Sequence, residues 1–95
     1  ALERANLSIN DIDIVEINEA FASQSIACLK DLGIDQKKAN LDGGALALGH
    51  PLGATGARIT GKAADLLRRE NKKYALSTQC IGLGMGIATV IESVN

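Results

Sequence analysis

The chain has almost no aromatic residues, which limits how its core can be built. Of its 95 residues only 2% are aromatic, namely Phe21 and Tyr74, and tryptophan is absent. The hydrophobic fraction of 46% therefore consists mainly of Ala, Ile, Leu and Val, which suits helices packed closely on a sheet. A chain of this length forms at most one domain and buries roughly two-thirds of its unfolded surface.

The low net charge and the lack of long apolar runs exclude several kinds of partner. A formal net charge of −1 gives no electrostatic reason to expect a nucleic acid or a membrane surface as partner. No apolar run approaches the ~20 residues that span a bilayer, and the N-terminus lacks the pattern of a secretory signal. Two cysteines in different predicted elements do not make a disulfide framework. We expect a soluble cytoplasmic protein, or one of an organelle matrix if the organism is a eukaryote.

The first half of the chain predicts a strand followed by a helix. A β-branched, partly alternating run predicts a strand over residues 12–17. Asn18 is a good N-cap residue, so a helix is expected after it to about Leu32, with Gly33 ending it. An amide at such a turn has a second interpretation, as a group that fixes a water or substrate, and the two are compatible. The apolar side of this helix would be Phe21, Cys28 and Leu32, with Ala22, Ile26 and Leu29 beside it.

The second half predicts another helix and then two strands. The helix is expected from Gly53 or Ala54 to about Glu70, and strands are expected over residues 74–81 and 87–94 with a short antiparallel connection. The fold class is therefore α/β, a mixed sheet with helices packed on it. The buried side of this helix would consist of Ile59, Ala63, Leu66 and Leu67. Its exposed side would consist of Arg58, Lys62, Asp65, Arg68 and Arg69.

The only histidine and the only proline lie in a glycine-rich block at residues 43–58. Histidine titrates near neutral pH, which makes it the side chain most readily used as an acid or base. Because His50 precedes Pro51, its backbone is kept out of the α region, and the flanking glycines allow a ligand or other backbone to approach closely. This pattern favours a functional imidazole. The alternative is a solvated or locally hydrogen-bonded loop residue.

A second candidate lies at the end of a predicted strand, where Cys80 precedes Gly82 and Gly84. Free backbone N–H groups at such a place lower the pKa of a thiol or stabilise an oxyanion. The alternative is a cysteine buried in the strand. Together with His50, this thiol indicates acyl-transfer or thiol chemistry, whereas Cys28 is expected in the core.

Two incomplete motifs point to nucleotide binding, but neither fits its required context. Residues 56–63 have the phosphate-loop spacing, yet Ala63 replaces the hydroxyl residue and the segment lies inside a helical pattern. The glycines of residues 82–86 imitate a dinucleotide fingerprint, but a strand follows where a helix is required. The cysteines and the histidine show no metal-ligand spacing. Nucleotide and metal binding are therefore weak alternatives.

Three motifs occur together in the order and spacing of the thiolases. They are Asn-Glu-Ala-Phe-Ala at residues 18–22, Gly-His-Pro at residues 49–51 and Cys-Ile-Gly at residues 80–82. The chain closely resembles the C-terminal end of this family, from about Leu2 to Glu92. The resemblance implies one domain over residues 1–95, a thiolase C-terminal domain shortened at its N-terminal side.

The resemblance also implies a role for each candidate residue. His50 matches the histidine that activates a nucleophilic cysteine in the N-terminal half and later donates a hydrogen bond to a thioester oxygen. Cys80 matches the cysteine that removes a proton from the methyl group of acetyl-CoA. Asn18 matches the asparagine that holds a water in the first oxyanion hole, and the N–H of Gly82 matches a donor in the second.

The implied partners are acyl-CoA, coenzyme A and the N-terminal half that carries the nucleophile. Coenzyme A thioesters are the substrates of thiolases, and no cofactor is expected. Since the nucleophilic cysteine is not among these residues, we expect the chain alone to be inactive and to self-associate, as a homo-oligomer. The alternative is a non-catalytic folded module for dimerisation or CoA-ester binding.

Overall fold

A computed structural model describes residues 1–94 and contains a three-stranded mixed sheet. The strands are β1 (Ile14–Ile17), β2 (Tyr74–Gly82) and β3 (Met85–Glu92), in the order β1-β2-β3. β1 is parallel to β2, and β3 is antiparallel to it. All four residues of β1 are buried, as is typical of a parallel strand covered on both faces. The predicted mixed α/β fold is confirmed.

Four α-helices accompany the sheet in the described residues. They are α1 (Leu2–Ala5), α2 (Ala22–Leu32), α3 (Ala45–Leu48) and α4 (Leu52–Arg69), with 3-10 turns at Ile9–Asp11 and Gln36–Lys38. Helix α2 ends at Gly33, whose φ of 68° is left-handed, as its sequence predicts. Within residues 1–94, no helix has both the length and the apolarity to cross a membrane.

Helix α4 covers one face of the sheet with the side chains that its sequence predicts. Apolar residues three and four positions apart form one stripe on a helix, and this stripe packs on Ile14 of β1 and Ala75 of β2. Full burial of a leucine such as Leu66 contributes roughly 1.5–3 kcal/mol to stability. The prediction that Arg58 lies on the exposed side of this helix is wrong, because its Nε and Nη2 atoms are buried. The buried stripe comprises Ile59, Ala63, Leu66 and Leu67.

Helix α2 lies on the other face, but its buried side differs from the prediction. Leu29 is buried against a cluster of Ile12, Val15, Ile17 and Leu76. Phe21 is 70% exposed, Leu32 is 42% exposed and Cys28 is only half-buried. The predicted apolar side is therefore wrong at its ends and also at Ala22 and Ile26, which are exposed. The helix begins after Phe21 and contacts the sheet around Leu29.

Asn18 does not cap a helix, contrary to the prediction. The N-cap of α2 is Phe21, three residues later. The N–H of Asn18 donates to the carbonyl of Thr78 on β2 at 2.9 Å, so the backbone is still paired with the sheet at this position. The Asn18 side chain is completely buried, and it does not cap α2.

The C-terminal hairpin closes through a two-residue turn. Leu83 and Gly84 both have positive φ, at 54° and 74°, the combination found in the turns that match the twist of a hairpin. The antiparallel connection predicted from the sequence is confirmed, although β3 begins and ends two residues before the predicted strand. The leucine is 98% exposed, so the turn directs an apolar side chain away from the described part of the chain.

An ion cluster holds the loop before α3 to the far end of α4. Arg69 donates two hydrogen bonds of 2.7 Å to the Asp42 carboxylate, and Lys62 donates a third at 3.1 Å. These donors keep the pKa of Asp42 well below its ordinary value. The loop that leads toward the histidine is therefore anchored to α4.

Candidate active site

His50 lies in the short loop between α3 and α4, where the backbone fixes its position. Gly49 before it has a φ of 90°, a conformation that favours glycine, and Pro51 after it is the N-cap of α4. The imidazole Nδ1 lies 2.7 Å from Oγ1 of Thr55. Because Thr55 is completely buried, this contact ties the ring to the first turn of the helix.

Asn18 and His50 meet although 32 residues separate them in the chain. Nδ2 of the asparagine lies 3.3 Å from Nε2 of the imidazole. Asn18 reaches this place because it directly follows β1, and His50 reaches it because it directly precedes α4. The structure therefore brings together two of the predicted site residues, at the point where the end of β1 meets the start of α4.

The hydrogen bonds around His50 select one tautomer of its ring. The Thr55 hydroxyl donates its single proton to the carbonyl of Pro51 at 3.2 Å, so it can only accept from Nδ1. Nδ1 therefore carries the proton in the neutral imidazole, and Nε2 accepts a hydrogen bond from the Asn18 amide. The basic nitrogen is thus the one that faces the asparagine.

Cys80 lies near the end of β2, where its side chain is exposed as a free thiol. His50 and Cys80 line one cleft of about 420 Å³. The structure thus places the imidazole and the thiol around a common space, as expected for two groups that act on one substrate. Besides these two, the lining residues are Leu52, Gln79, Ile81 and Gly82.

A β-bulge shapes this end of β2. Cys80 pairs with Gly86 and Gly82 pairs with Met85, which leaves Ile81 as an extra residue in the ladder. A bulge of this kind bends a strand and redirects its side chains, and bulges are frequent beside active sites. Gly82, with a φ of 105°, takes up the altered backbone direction, and the residue lines the same cleft.

The sequence analysis does not predict two residues that support the site. Thr55 is a hydroxyl residue five positions after the histidine, in the first turn of a helix. That spacing is the only indication in the sequence that Thr55 contacts the imidazole of His50. Glu19 accepts a hydrogen bond from the N–H of Leu46 at 3.1 Å, which fixes the start of α3. A side chain at Gly44 would overlap the Glu19 carboxylate, so a larger residue there would displace Glu19 from this position.

The arrangement combines an imidazole and a thiol around one cleft, with a buried amide against the imidazole. A general base and a nucleophile or second acid are the groups that acyl transfer needs. An imidazole and a thiol placed in this way can transfer protons to and from a molecule in the cleft. In the part of the chain described by the structure, no three His, Cys, Asp or Glu side chains are grouped to hold a metal ion.

Comparison with known proteins gives a consistent picture. Residues 1–93 match the family model described as the thiolase C-terminal domain. The 3-ketoacyl-CoA thiolase of Vibrio vulnificus (strain YJ016) is 58% identical over 95 residues, which cover 97% of this chain and 24% of that protein. The enzyme of the same name from Erwinia tasmaniensis is 56% identical over 97 residues, covering 99% of this chain and 25% of that protein.

A solved structure shows the same fold. The crystal structure of human mitochondrial 3-ketoacyl-CoA thiolase superposes with a TM-score of 0.97 and is 52% identical, over 100% of this chain and 24% of that one. A second crystal structure of the human protein, in complex with CoA, gives the same values. This chain thus spans about a quarter of the length of the relatives that it matches. With residues 1–93 matched by the family model, the chain belongs to the thiolase family, as a C-terminal domain segment.

Proposed function

We propose that this chain supplies the acid–base half of a thiolase active site that acts on acyl-CoA thioesters. The observation that carries the proposal is the cleft shared by His50 and Cys80. The relatives that share the fold are named 3-ketoacyl-CoA thiolases, so the reaction proposed is cleavage of a 3-ketoacyl-CoA by coenzyme A, or its reverse. No cofactor takes part, because coenzyme A thioesters are themselves the substrates.

The proposed role of Cys80 is proton transfer at the reacting carbon. In the condensation direction its thiolate removes a proton from the methyl group of acetyl-CoA, and the electron pair moves into the thioester as an enolate. The enolate carbon then forms a bond to the acyl group held on a cysteine of the N-terminal half, whose thiolate leaves. In thiolysis the Cys80 thiol returns the proton as the carbon–carbon bond breaks. A covalent acyl intermediate divides the reaction into two easier steps.

The proposed role of His50 and Asn18 is to activate the nucleophile and to stabilise charge on a thioester oxygen. Nε2 of His50 is the basic nitrogen in the tautomer inferred from the Thr55 hydrogen bonds, so it can take the proton of the nucleophilic thiol and then donate a hydrogen bond to the thioester oxygen. Asn18 would hold a water beside it, and the N–H of Gly82 would serve the second oxygen. Removing one such donor typically costs ~10²–10³ in rate.

The missing partner is proposed to be a thiolase N-terminal half, and the assembled protein is proposed to be a homo-oligomer. Large apolar side chains that a soluble protein normally covers are exposed on this chain. Leu52 lies at the cleft that His50 and Cys80 line, so a covering segment would also close the site. The exposed fractions are 98% for Leu83, 82% for Leu52, 70% for Phe21, 65% for Leu48 and 64% for Leu46.

Coenzyme A binding and a reducing compartment complete the proposal. The human relative was solved in complex with CoA, and its identity of 52% over the whole of this chain supports the same ligand here. Both cysteines of this chain are free thiols, which supports a reducing compartment, the cytoplasm or an organelle matrix.

A chimeric enzyme tests the proposal directly. This chain would replace the matching segment of the Vibrio vulnificus thiolase, and thiolysis of acetoacetyl-CoA would be followed by loss of its absorbance. We expect the chimera to turn over, and we expect His50→Ala and Cys80→Ala each to lower kcat by at least ~10²-fold, within the range for groups of this kind.

Cys28→Ala is the matched control, because it removes a thiol that does not line the shared cleft. We expect it to retain most of the activity. The isolated chain is expected to have none. A folded chimera without activity, or a Cys80→Ala variant as active as its parent, would contradict the proposal, as would turnover by the isolated chain that Cys80→Ser abolishes.

The exposed apolar side chains also favour a second function, that of a non-catalytic module for dimerisation or CoA-ester binding. Calorimetric titration of the isolated chain with coenzyme A separates these possibilities. Heat of binding supports a CoA-binding segment, and its absence at millimolar ligand, together with a dimer in sedimentation, supports a module for assembly alone.

A further inference from the structure

The carboxyl group of Glu16 is buried beside the candidate site and is not used by the proposed reaction. Glu16 lies in β1 and is completely buried. Among residues 1–94, no group lies within hydrogen-bond distance of either of its carboxyl oxygens. Buried polar atoms are nearly always hydrogen-bonded, since leaving one unpaired is costly. Such a residue in a strand otherwise made of Ile and Val calls for an explanation.

Glu16 is not alone, because two further side chains near it also have buried polar atoms without partners. They are Asn18, with Oδ1, and Arg58, with Nε and Nη2. Glu16 and Asn18 are two residues apart in extended chain, which places them on the same face of the sheet with Cα atoms about 7 Å apart. That face is covered by α4, on which Arg58 lies. Donors and acceptors are thus both available in one buried layer.

We propose that Glu16 is a positioning residue, whose carboxyl group is joined through an ordered water to Oδ1 of Asn18 and so keeps Nδ2 directed at His50. A buried water commonly makes about three hydrogen bonds to polar groups that would otherwise have no partner. Nδ2 of Asn18 already contacts Nε2 of His50, so Oδ1 is the end of the amide that needs a fixed partner. An amide held at one end cannot turn its oxygen toward the imidazole.

The surroundings of Glu16 favour a neutral carboxyl group. Desolvation raises its pKa to about 7, against the attraction of Arg58 and Lys62 on α4. Asp42 and Glu19 raise its pKa further. In the proposed bridge the water donates to Oδ1 of Asn18, which only accepts, and the Glu16 carboxyl group either donates to this water or accepts from it. The bridge therefore does not require an ionised Glu16.

The proposal rests on the proposed function only in that Asn18 and His50 are the pair being positioned. Its test therefore uses the tautomer of His50, measured by ¹⁵N NMR on the 95-residue chain, which does not depend on turnover. We expect the Nδ1-protonated tautomer in the parent chain and in Glu16→Gln, whose amide still donates. We expect a lower population of this tautomer in Glu16→Leu, because the Asn18 amide can then turn its oxygen toward Nε2, which favours a proton on that nitrogen.

Ser77→Ala is the matched control for a change in a buried polar residue of the same layer. Ser77 pairs with Glu16 across the sheet and contacts Thr60 on α4 at 3.1 Å, and its loss should leave the tautomer unchanged. The proposal is overturned if Glu16→Leu keeps the parent tautomer, or if Glu16→Gln loses it as well. A chimeric enzyme without activity would contradict the proposed function but not this result.

A second measurement decides the matter if Glu16→Leu does not fold. The side-chain amide signals of Asn18 would be followed with pH in the parent chain and in Glu16→Gln. We expect an inflection from the Glu16 carboxyl in the parent and its loss in the variant. Absence of the first inflection in the parent chain would overturn the proposal.

Discussion

His50 and Thr55 are joined by a 2.7 Å hydrogen bond between the imidazole Nδ1 and the buried hydroxyl. Because this hydroxyl donates to the carbonyl of Pro51, it accepts from the ring and leaves Nε2 as the basic nitrogen. The first turn of α4 therefore sets the orientation of the histidine and, together with the Asn18 amide, its tautomer. This relationship gives the first of five testable predictions.

Thr55→Val should free the imidazole while nearly preserving the shape of the buried side chain. Nδ1 then has no acceptor, so the Nε2-protonated tautomer should gain population. Leaving a buried polar group unpaired should also lower the free energy of unfolding by about 1–3 kcal/mol. The tautomer is measured by ¹⁵N NMR and the stability by urea unfolding.

Thr55→Ser is the control, because it keeps Oγ and should keep the parent tautomer. A Thr55→Val chain with an unchanged tautomer would show that Thr55 does not orient the ring.

The two cysteines should differ in their rate of alkylation. Cys80 is exposed, whereas Cys28 is half-buried and its Sγ lies 3.7 Å from Nε2 of Gln24. Iodoacetamide under native conditions should therefore modify Cys80 first, as followed by peptide mass spectrometry. In unfolded chain the difference should disappear. Faster modification of Cys28 in the folded chain would contradict the exposure of the candidate thiol.

Glu16 should make the folded chain less stable as the pH rises from about 4.5 to about 7. Its pKa is raised from 4.5 to about 7 in the folded state, so the unfolded chain loses this proton first and is favoured across that interval. The full effect is about 3 kcal/mol, at 1.36 kcal/mol for each pKa unit. Urea unfolding at several pH values measures it.

Glu16→Gln should remove most of this slope, since the amide does not titrate. A parent chain whose stability is constant or increases between these pH values would contradict the raised pKa.

The packing of α4 on the sheet should depend on Leu66 and not on Leu52. Leu66 is completely buried in the core, and its replacement by alanine should cost about 2–5 kcal/mol. Leu52 lies on the same helix but is 82% exposed, so Leu52→Ala should change stability by less than about 0.5 kcal/mol. Thermal or urea unfolding of both variants tests this, and equal losses would contradict the described core.

The elements that could be predicted from the sequence are those whose side chains repeat with a clear period. The stripe of α4 confirms its prediction because four apolar residues share one helical face. The hairpin confirms its prediction because a glycine-rich segment separates two β-branched runs. In these elements the local sequence pattern and the tertiary contacts favour the same structure, so the pattern alone was sufficient to predict them.

The errors lie where long-range pairing overrides a local preference. Asn18 has the residue type of an N-cap, but the carbonyl of Thr78 binds its N–H and keeps it in the sheet. Thr78 is 60 residues away in the chain, so nothing in the sequence near Asn18 indicates this pairing. The same is true of the contact between Asn18 and His50. The motifs predicted Asn18 and His50 as site residues, and the structure shows how these two side chains meet.

Exchange of the acetyl-CoA methyl protons for deuterium tests most directly whether Cys80 acts on the reacting carbon. The chimeric enzyme would be incubated with acetyl-CoA in D₂O and the methyl group followed by NMR. We predict exchange by the chimera, loss of exchange in Cys80→Ala and continued formation of the acyl-enzyme in that variant. Exchange by Cys80→Ala at the parent rate would contradict the account.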